Sequence, residues 1–327
     1  MSEIRRAPSR SRGLEGLTFR NATEADLPDC SRLHRIAIDD YTMRMGFPPS
    51  PPENPGLLRL HAHTLATDPP RFQVAERAGP EGATTVVAFG SAVERGPFWF
   101  LSMLFVDPAE QARGLGRALL QRILPPEDRR DQMQLATCTD SAQPISNGLY
   151  ATFGMVPRMP FLNLLGRPRD GWNPPPLPAG VTFDRAEPGP DGRLAAEDQA
   201  ELDALDLELN GWSHPQDHAF DLRERPWLLR YRDGSGRLVG YGYTSEVGRT
   251  GPVAVRDEAM LFPVVAHLLT TVVPRGASSV WLGGHASEAV AAAIRAGLRL
   301  EGFPILACWS APYADFTRYV PTSPGLI

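Results

Sequence analysis

Lysine is missing from this chain: all 33 basic residues among its 327 are arginine. The absence excludes a Walker A loop, whose lysine must reach the β- and γ-phosphates. Two explanations fit it. One is a GC-rich genome, which also favours the 33 prolines and the many alanines. The other is avoidance of side chains that a bound thioester would acylate or that would be tagged for degradation. Cysteine is scarce as well, with Cys30, Cys138 and Cys308 far apart and odd in number. This pattern fits neither a disulfide framework nor a zinc site, so reduced thiols are expected. No apolar run approaches the roughly 20 residues of a membrane helix. Residues 1–13 are polar and arginine-rich without an apolar core, unlike a secretory signal. A disordered tail over 1–15 and a cytoplasmic location are the expectation. The net charge of −5 lacks the concentrated basic face that nucleic acid needs, which leaves small molecules as the expected partners.

What is present is a repeat. At roughly 150 residues per domain, the length suggests two domains. Residues 166–180, rich in proline and glycine, read as a stiff linker between them. Gly16-Leu17-Thr18-Phe19-Arg20 opens the first half, 16–165, and Gly180-Val181-Thr182-Phe183-Asp184 opens the second, 181–327. In the first half, helical spacing over 24–38 follows Thr23 as N-cap, and a second short helix is expected over 57–66. Strands follow at 72–76, 85–94 and 99–106, then a helix over 115–124, a strand at 133–138, a helix ending near Phe153 and a strand at 155–165. The second half has an acidic helix over 197–209, then strands at 227–232 and 238–244 joined by the turn Asp233-Gly234-Ser235-Gly236. After these come a strand at 253–255, a helix over 257–272, a strand at 279–282, a helix over 286–296 and a strand at 300–309. The order describes a mixed α/β (α+β) fold in two copies, each a central sheet flanked by helices.

The most informative stretch runs Leu104-Phe105-Val106-Asp107-Pro108-Ala109-Glu110-Gln111-Ala112-Arg113-Gly114-Leu115-Gly116-Arg117. It reads as a strand, a turn and the start of a helix. Gly114 and Gly116 lack Cβ atoms, so the backbone can approach a ligand, and the first helical N–H groups point at an anion. Arg113 and Arg117 add charge suited to phosphate oxygens. The third glycine of a dinucleotide fingerprint is missing.

Leu-x-Val-x-Pro followed by Gln-x-x-Gly-x-Gly resembles motif A of the GNAT superfamily of acyl-CoA-dependent N-acetyltransferases. Leu149-Tyr150-Ala151-Thr152-Phe153-Gly154-Met155 resembles its second signature, Leu-Tyr-x-x-x-Gly-Phe, with methionine replacing phenylalanine. The resemblance covers residues 16–165. It implies two tandem GNAT-like domains and acetyl-CoA as co-substrate. Backbone groups of Leu104, Phe105 and Val106 would hold the acetyl-pantetheine arm, and residues 111–117 (Gln111, Ala112, Arg113, Gly114, Leu115, Gly116 and Arg117) the pyrophosphate. One departure is Gln143, followed by Pro144, where the family often has asparagine seven residues before the tyrosine.

Amide formation requires a neutral amine, an oxyanion donor and a proton for the departing thiolate. The N–H of Leu104 would serve the oxyanion and the phenol of Tyr150 the thiolate. A phenol near pKa 10 and a thiol near 8.5 make that transfer modestly uphill. The carboxylates Glu94 and Glu76 are the candidate bases. The second half lacks these features. Val255-Arg256-Asp257-Glu258-Ala259-Met260 stands where the glycine loop would be, and Ala293 where the tyrosine would be, so that copy is expected to be degenerate. His61-x-His63 and the pair His214 and His218 have metal spacing without an evident third ligand, and no metal is expected. The sequence thus points to an acetyl-CoA-dependent N-acetyltransferase for a small-molecule or peptide amine, with a non-catalytic acyl-CoA binder or sensor as the alternative.

Overall fold

The computed structural model describes residues 14–327, so most of the expected N-terminal tail lies outside the described residues. Strand β1 (Leu17–Asn21) ends where Thr23 turns the chain, its backbone N–H and hydroxyl both donating to Asp26 Oδ2 at 2.8 and 2.9 Å. That closure starts helix α1 (Leu27–Thr42), which runs one turn beyond the apolar periodicity. Asn54 then caps α2 (Pro55–Thr67) by accepting from Leu57 N, with proline at the first helical position. Strands β2 (Phe72–Ala78), β3 (Thr84–Arg95) and β4 (Phe98–Val106), helix α3 (Leu115–Ile123) and one turn, α4 (Glu127–Arg130), follow. Then come β5 (Gln134–Asp140), α5 (Pro144–Ala151) and β6 (Val156–Gly166).

The second repeat begins with β7 (Thr182–Ala186) and α6 (Ala196–Asn210). Helix α7 (Pro215–Glu224), not expected from the sequence, follows Trp212 in a segment rich in acidic and aromatic residues. Strands β8 (Trp227–Arg232) and β9 (Leu238–Thr244) form the expected hairpin; Asp233 Oδ1 accepts from the Ser235 and Arg237 N–H groups, and Gly236 takes φ +85°. Next are β10 (Arg249–Thr250), β11 (Val253–Val255), α8 (Leu261–Thr271), β12 (Ser278–Gly283) and α9 (Ser287–Ala296). The single strand expected over 300–309 is two, β13 (Arg299–Leu300) and β14 (Ile305–Trp309), because Gly302 at φ +65° and Pro304 interrupt it. Strand β15 (Tyr319–Val320) ends the fold. Strands with flanking helices therefore recur in both halves, and the sheet of β7, β8, β9, β11 and β15 is antiparallel throughout.

The chain divides into two compact units. The first contains residues up to Val93 together with Leu101–Arg130. Its strands lie in the order β1-β2-β3-β4, and Leu115 and Leu119 of α3 pack on Ala75, Val87 and Ala88 of β2 and β3. This packing fixes the start of α3 beside the end of β4. Phe72, Phe89 and Phe105 stack in succession, with centroids 5.9 and 5.7 Å apart.

The second unit contains Glu94–Phe100 and Asp131–Ile327. One of its sheets runs β15-β11-β9-β8-β7. In the other, β14 lies between β5 and β6, antiparallel to both, with Ile305 opposite Asp140 and Trp309 opposite Ala136. Strand β6 in turn pairs with β12, Phe161 opposite Gly283 and Gly166 opposite Ser278. The closing strand of each repeat thus completes a sheet with strands of the other. The proline-rich segment after β6 has neither helix nor strand, yet Arg167 donates to Gly276 O at 2.6 Å and to Pro274 O at 3.0 Å.

Because β5 and β6 share β14, deleting residues 302–327 would leave both with unpaired edges, and sheet edges of this kind seed aggregation. Size-exclusion chromatography of the truncated chain should find aggregate; a soluble, cooperatively melting monomer would contradict this account of the sheet.

Candidate active site

The first unit carries the glycine loop. Strand β4 ends with Leu104, Phe105 and Val106, all half-buried. Asp107 donates its N–H to Val87 O at 2.8 Å and caps the next turn by accepting from Ala109 N at 3.0 Å. Gln111 reaches back, Nε2 donating to Val106 O at 3.2 Å, so the loop is tied to the strand it leaves. Ala112 (φ +63°) and Gly114 (φ +85°) are both left-handed, on either side of exposed Arg113. An alanine in that region costs about 1–2 kcal/mol, a strain of the kind found at ligand-binding turns. Gly114 is the N-cap of α3 and has no side chain to offer the helix, so the first-turn N–H groups of Leu115, Gly116 and Arg117 have no side-chain cap. Open space surrounds the Cα of Gly114.

Charge at this end is more balanced than the sequence suggests. Glu110 accepts two hydrogen bonds from Arg77, both at 2.7 Å, and one from Arg113 at 2.9 Å. The hydrogen bonds from Arg77 hold its carboxyl below the usual carboxylate range. Arg113 donates to Glu110 while its side chain stays half exposed.

The equivalent turn of the second repeat starts identically. Asp257 Oδ1 accepts from Ala259 N at 2.9 Å, as Asp107 does from Ala109. The short turn then runs straight into α8, whose N-cap Met260 is right-handed, and no glycine loop intervenes. Asp257 and Glu258 stand at that helix start, where a phosphate would be repelled.

The second unit holds the other expected residues. Tyr150 sits on α5, 4% exposed; burial raises its phenol well above the usual value, against a hydrogen bond with Ser146 that lowers it. Gln143 is the N-cap of α5, and its side chain makes no capping bond. Asn147 donates to Asp140 O and Gln143 O at 3.0 and 2.9 Å and pins the helix to the end of β5. Glu94, half-buried near the end of β3, accepts through its carbonyl from Arg95 Nη1 at 2.9 Å. Glu76 belongs to the first unit, where Arg20 bridges it to Asp26. That ion pair gives Glu76 a structural role.

Asp140 and His34 had no signal in the sequence, and His61 showed only its metal spacing with His63. Asp140 ends β5, and burial pushes its carboxyl up to about 6. In the first unit His34 lies against Phe105, ring centroids 4.5 Å apart, and burial lowers its imidazole to about 4. His61 is fully buried between Phe72 and Phe89 with neither ring nitrogen partnered, and burial lowers it to about 3. Such shifts arise from tertiary burial and leave no trace in spacing.

Comparison with known proteins agrees with this geometry. Residues 31–155 match the model of the Acetyltransferase (GNAT) family. Over 254 residues the chain is 27% identical to mycothiol acetyltransferase of Clavibacter michiganensis subsp. michiganensis (strain NCPPB 382), covering 70% of this chain and 76% of that protein. Among solved structures, a putative acetyltransferase from Pyrococcus horikoshii aligns with a TM-score of 0.67 at 15% identity, over 93% of each chain. A tandem GNAT protein from the clavulanic acid biosynthesis pathway aligns with a TM-score of 0.52 at 16% identity, over 91% of this chain and 99% of its own. These two likenesses are of fold. Among the described residues no helix is long and apolar enough to cross a membrane.

The buried histidines predict acid sensitivity. Their native pKa values lie below the unfolded value near 6.5, so the unfolded state takes up protons first. Their contribution to stability is complete above about pH 6.5 and drains as pH falls towards 4 and 3, by about 2 kcal/mol per histidine at pH 5. His61→Leu should reduce the loss of Tm between pH 7.5 and 5; an unchanged loss in thermal melts would contradict this assignment.

Proposed function

We propose, for a chain that belongs to the GNAT superfamily of N-acetyltransferases, that it transfers the acetyl group of acetyl-CoA to the amine of a small-molecule or peptide acceptor by direct attack on the thioester. The observation that carries the proposal is the start of α3, where a left-handed glycine leaves a helix N-terminus without a cap at the end of β4. Uncapped N–H groups and the positive end of the helix dipole suit a pyrophosphate. The N–H groups of Leu115, Gly116 and Arg117 hold that group, with Arg117 adding charge. Backbone groups of Leu104, Phe105 and Val106 hold the pantetheine arm. The strained turn from Gln111 to Gly114 keeps the amides aimed before the ligand arrives, so little ordering accompanies binding.

The reaction forms one N–C bond and breaks one C–S bond. An ammonium with pKa near 10 must first lose a proton. A carboxyl near neutrality does this better than an ordinary carboxylate, because catalytic efficiency peaks when the pKa lies near the working pH. Asp140, raised to about 6 by burial at the end of β5, is the base in this reading. The neutral amine attacks the thioester carbonyl, and the Leu104 N–H stabilises the developing oxyanion. As the tetrahedral intermediate collapses, Tyr150 gives its proton to the departing thiolate, and the extra proton on the attacking nitrogen returns to the phenolate, leaving a neutral amide and a free thiol. The burial of Tyr150 makes the phenol a weaker acid than in water, which also keeps it protonated until the thiolate forms. That same burial is the one observation that favours the alternative, a protein that binds acyl-CoA without turning it over. The overall charge of −5 favours a cationic acceptor through long-range attraction.

Tyr150→Phe should lower kcat by roughly 10²-fold while acetyl-CoA affinity stays within about twofold, measured by thiol release and calorimetry. Undiminished turnover would remove Tyr150 from the chemistry, and saturable CoA binding with no thiol release for any amine would establish the non-catalytic alternative.

The profile of kcat/KM against pH should rise through about pH 6 as Asp140 ionises. Asp140→Asn should abolish that limb and Glu94→Gln should retain it; the reverse pattern would assign the base to Glu94. Gly114→Val, which forces a β-branched residue into a left-handed position, should raise the acetyl-CoA KM by at least about tenfold with a smaller effect on kcat.

A further inference from the structure

Helices α6 and α7 bring three metal-ligating side chains together at the heart of the second unit. Asp206 on α6, His214 at the N-cap of α7 and His218 one turn later are all completely buried. Asp206 Oδ2 lies 3.0 Å from His218 Nε2 and 3.3 Å from His214 Nε2. One donor atom from each of the three falls within 4.8 Å of the others, and the two imidazole rings lie nearly parallel with centroids 4.4 Å apart. Sequence spacing showed the two histidines; the third donor, Asp206, comes from a separate helix.

Three features distinguish this cluster from an ordinary buried polar network. The first is charge. Two neighbouring buried carboxylates have arginine partners: Asp217 pairs with Arg95 at 2.7 Å and Asp221 with Arg225 at 2.5 Å. Asp206 has none, and its neighbours are Tyr241, His214 and His218. Its hydrogen-bond partners are the imidazole of His218 and the phenol of Tyr241, and a divalent cation would take the place of the imidazole proton. The second is His214, where neither ring nitrogen has a hydrogen-bond partner although the side chain is entirely buried. The third is the outer shell. Tyr243 Oη is 2.8 Å from His218 Nδ1, and Tyr241 donates to Asp206 Oδ1 at 2.7 Å. Groups that orient the far nitrogen of a histidine or the second oxygen of a carboxylate are what metal ligands require.

We infer that Asp206, His214 and His218 form a structural site for a zinc-class divalent cation. Bonds of about 2.0–2.1 Å in tetrahedral geometry place donors about 3.3 Å apart, against 3.3 Å from Asp206 Oδ2 to His214 and 3.0 Å to His218. Two imidazoles and a carboxylate suit zinc, cobalt(II) or nickel(II) and disfavour calcium or magnesium, which take oxygen ligands. The fourth position falls to water or to a nearby protein oxygen. Tyr319, fully buried with an unpartnered hydroxyl, is a protein oxygen of the same unit. The bound cation joins α6 to α7 and replaces the missing arginine of Asp206. The inferred site uses none of the acetyl-transfer residues, so it holds whether or not the proposed reaction does.

The test uses the full-length chain, freed of metal by dialysis against a chelator and then titrated with cobalt(II). Tetrahedral cobalt absorption saturating at one equivalent is expected, displaced by zinc, with a rise in Tm of about 5 °C or more at a hundredfold excess over Kd. X-ray absorption of the zinc form should find two imidazoles with oxygen completing the shell. His214→Gln, an uncharged replacement, should abolish the absorption. Absence of cobalt absorption with an unmoved Tm would overturn the inference and leave a buried aspartate–histidinium pair. The same absorption in wild type and His214→Gln, or a shell with no imidazole or more than two, would equally overturn it.

Discussion

Strand β14 holds the second unit together by lying between β5 and β6, which have no other partner on the sides they offer it. Hydrogen bonds unmade at a buried sheet edge are expensive, so neither β5 nor β6 is complete without the end of the chain. The return interaction is β6 on β12, which ties the first repeat's closing strand to the second repeat. This exchange gives a physical reason for a second copy that has lost its glycine loop and its tyrosine. Helix α5, which carries Tyr150, connects β5 to β6, and the position of both strands depends on β14. A degenerate repeat can therefore be retained for geometry alone.

The two repeats form a natural control for the phosphate-binding turn. Both leave a strand through an aspartate that caps the N–H two residues on, Asp107 in one and Asp257 in the other. After that they diverge. The first inserts a left-handed loop ending at Gly114 and begins α3 with bare N–H groups; the second passes directly into α8 behind Asp257 and Glu258. Shared turn chemistry records the common design, and the inserted loop with its two left-handed residues is what adds an anion site. The ion network of Arg77, Glu110 and Arg113 braces this loop from the side of β2.

Much of this was legible in the sequence because strands and helices have different periods. The alternation at 227–232 and 238–244 and the Asp-Gly-Ser-Gly turn located β8 and β9 closely. Glycine and proline chemistry located the loop before α3. Helix α7 was not legible, since its turns mix His218, Phe220 and Leu222 with buried acids and show no clean apolar stripe. The break between β13 and β14 turned on Gly302 and Pro304, weak signals within a long apolar run. Tertiary facts were invisible for a plain reason. The raised carboxyl of Asp140, the unpartnered ring of His61 and the convergence of Asp206 with His214 and His218 depend on which elements pack together, and no local spacing encodes that.

Binding of a diphosphate by the bare start of α3 underlies the whole functional reading, and hydrogen exchange measures it at the atoms concerned. Amide exchange over 113–118 should slow on saturation with acetyl-CoA, because ligand oxygens would occupy N–H groups that no side chain caps. Unchanged exchange in that segment, with acetyl-CoA bound and protection found elsewhere, would contradict the account.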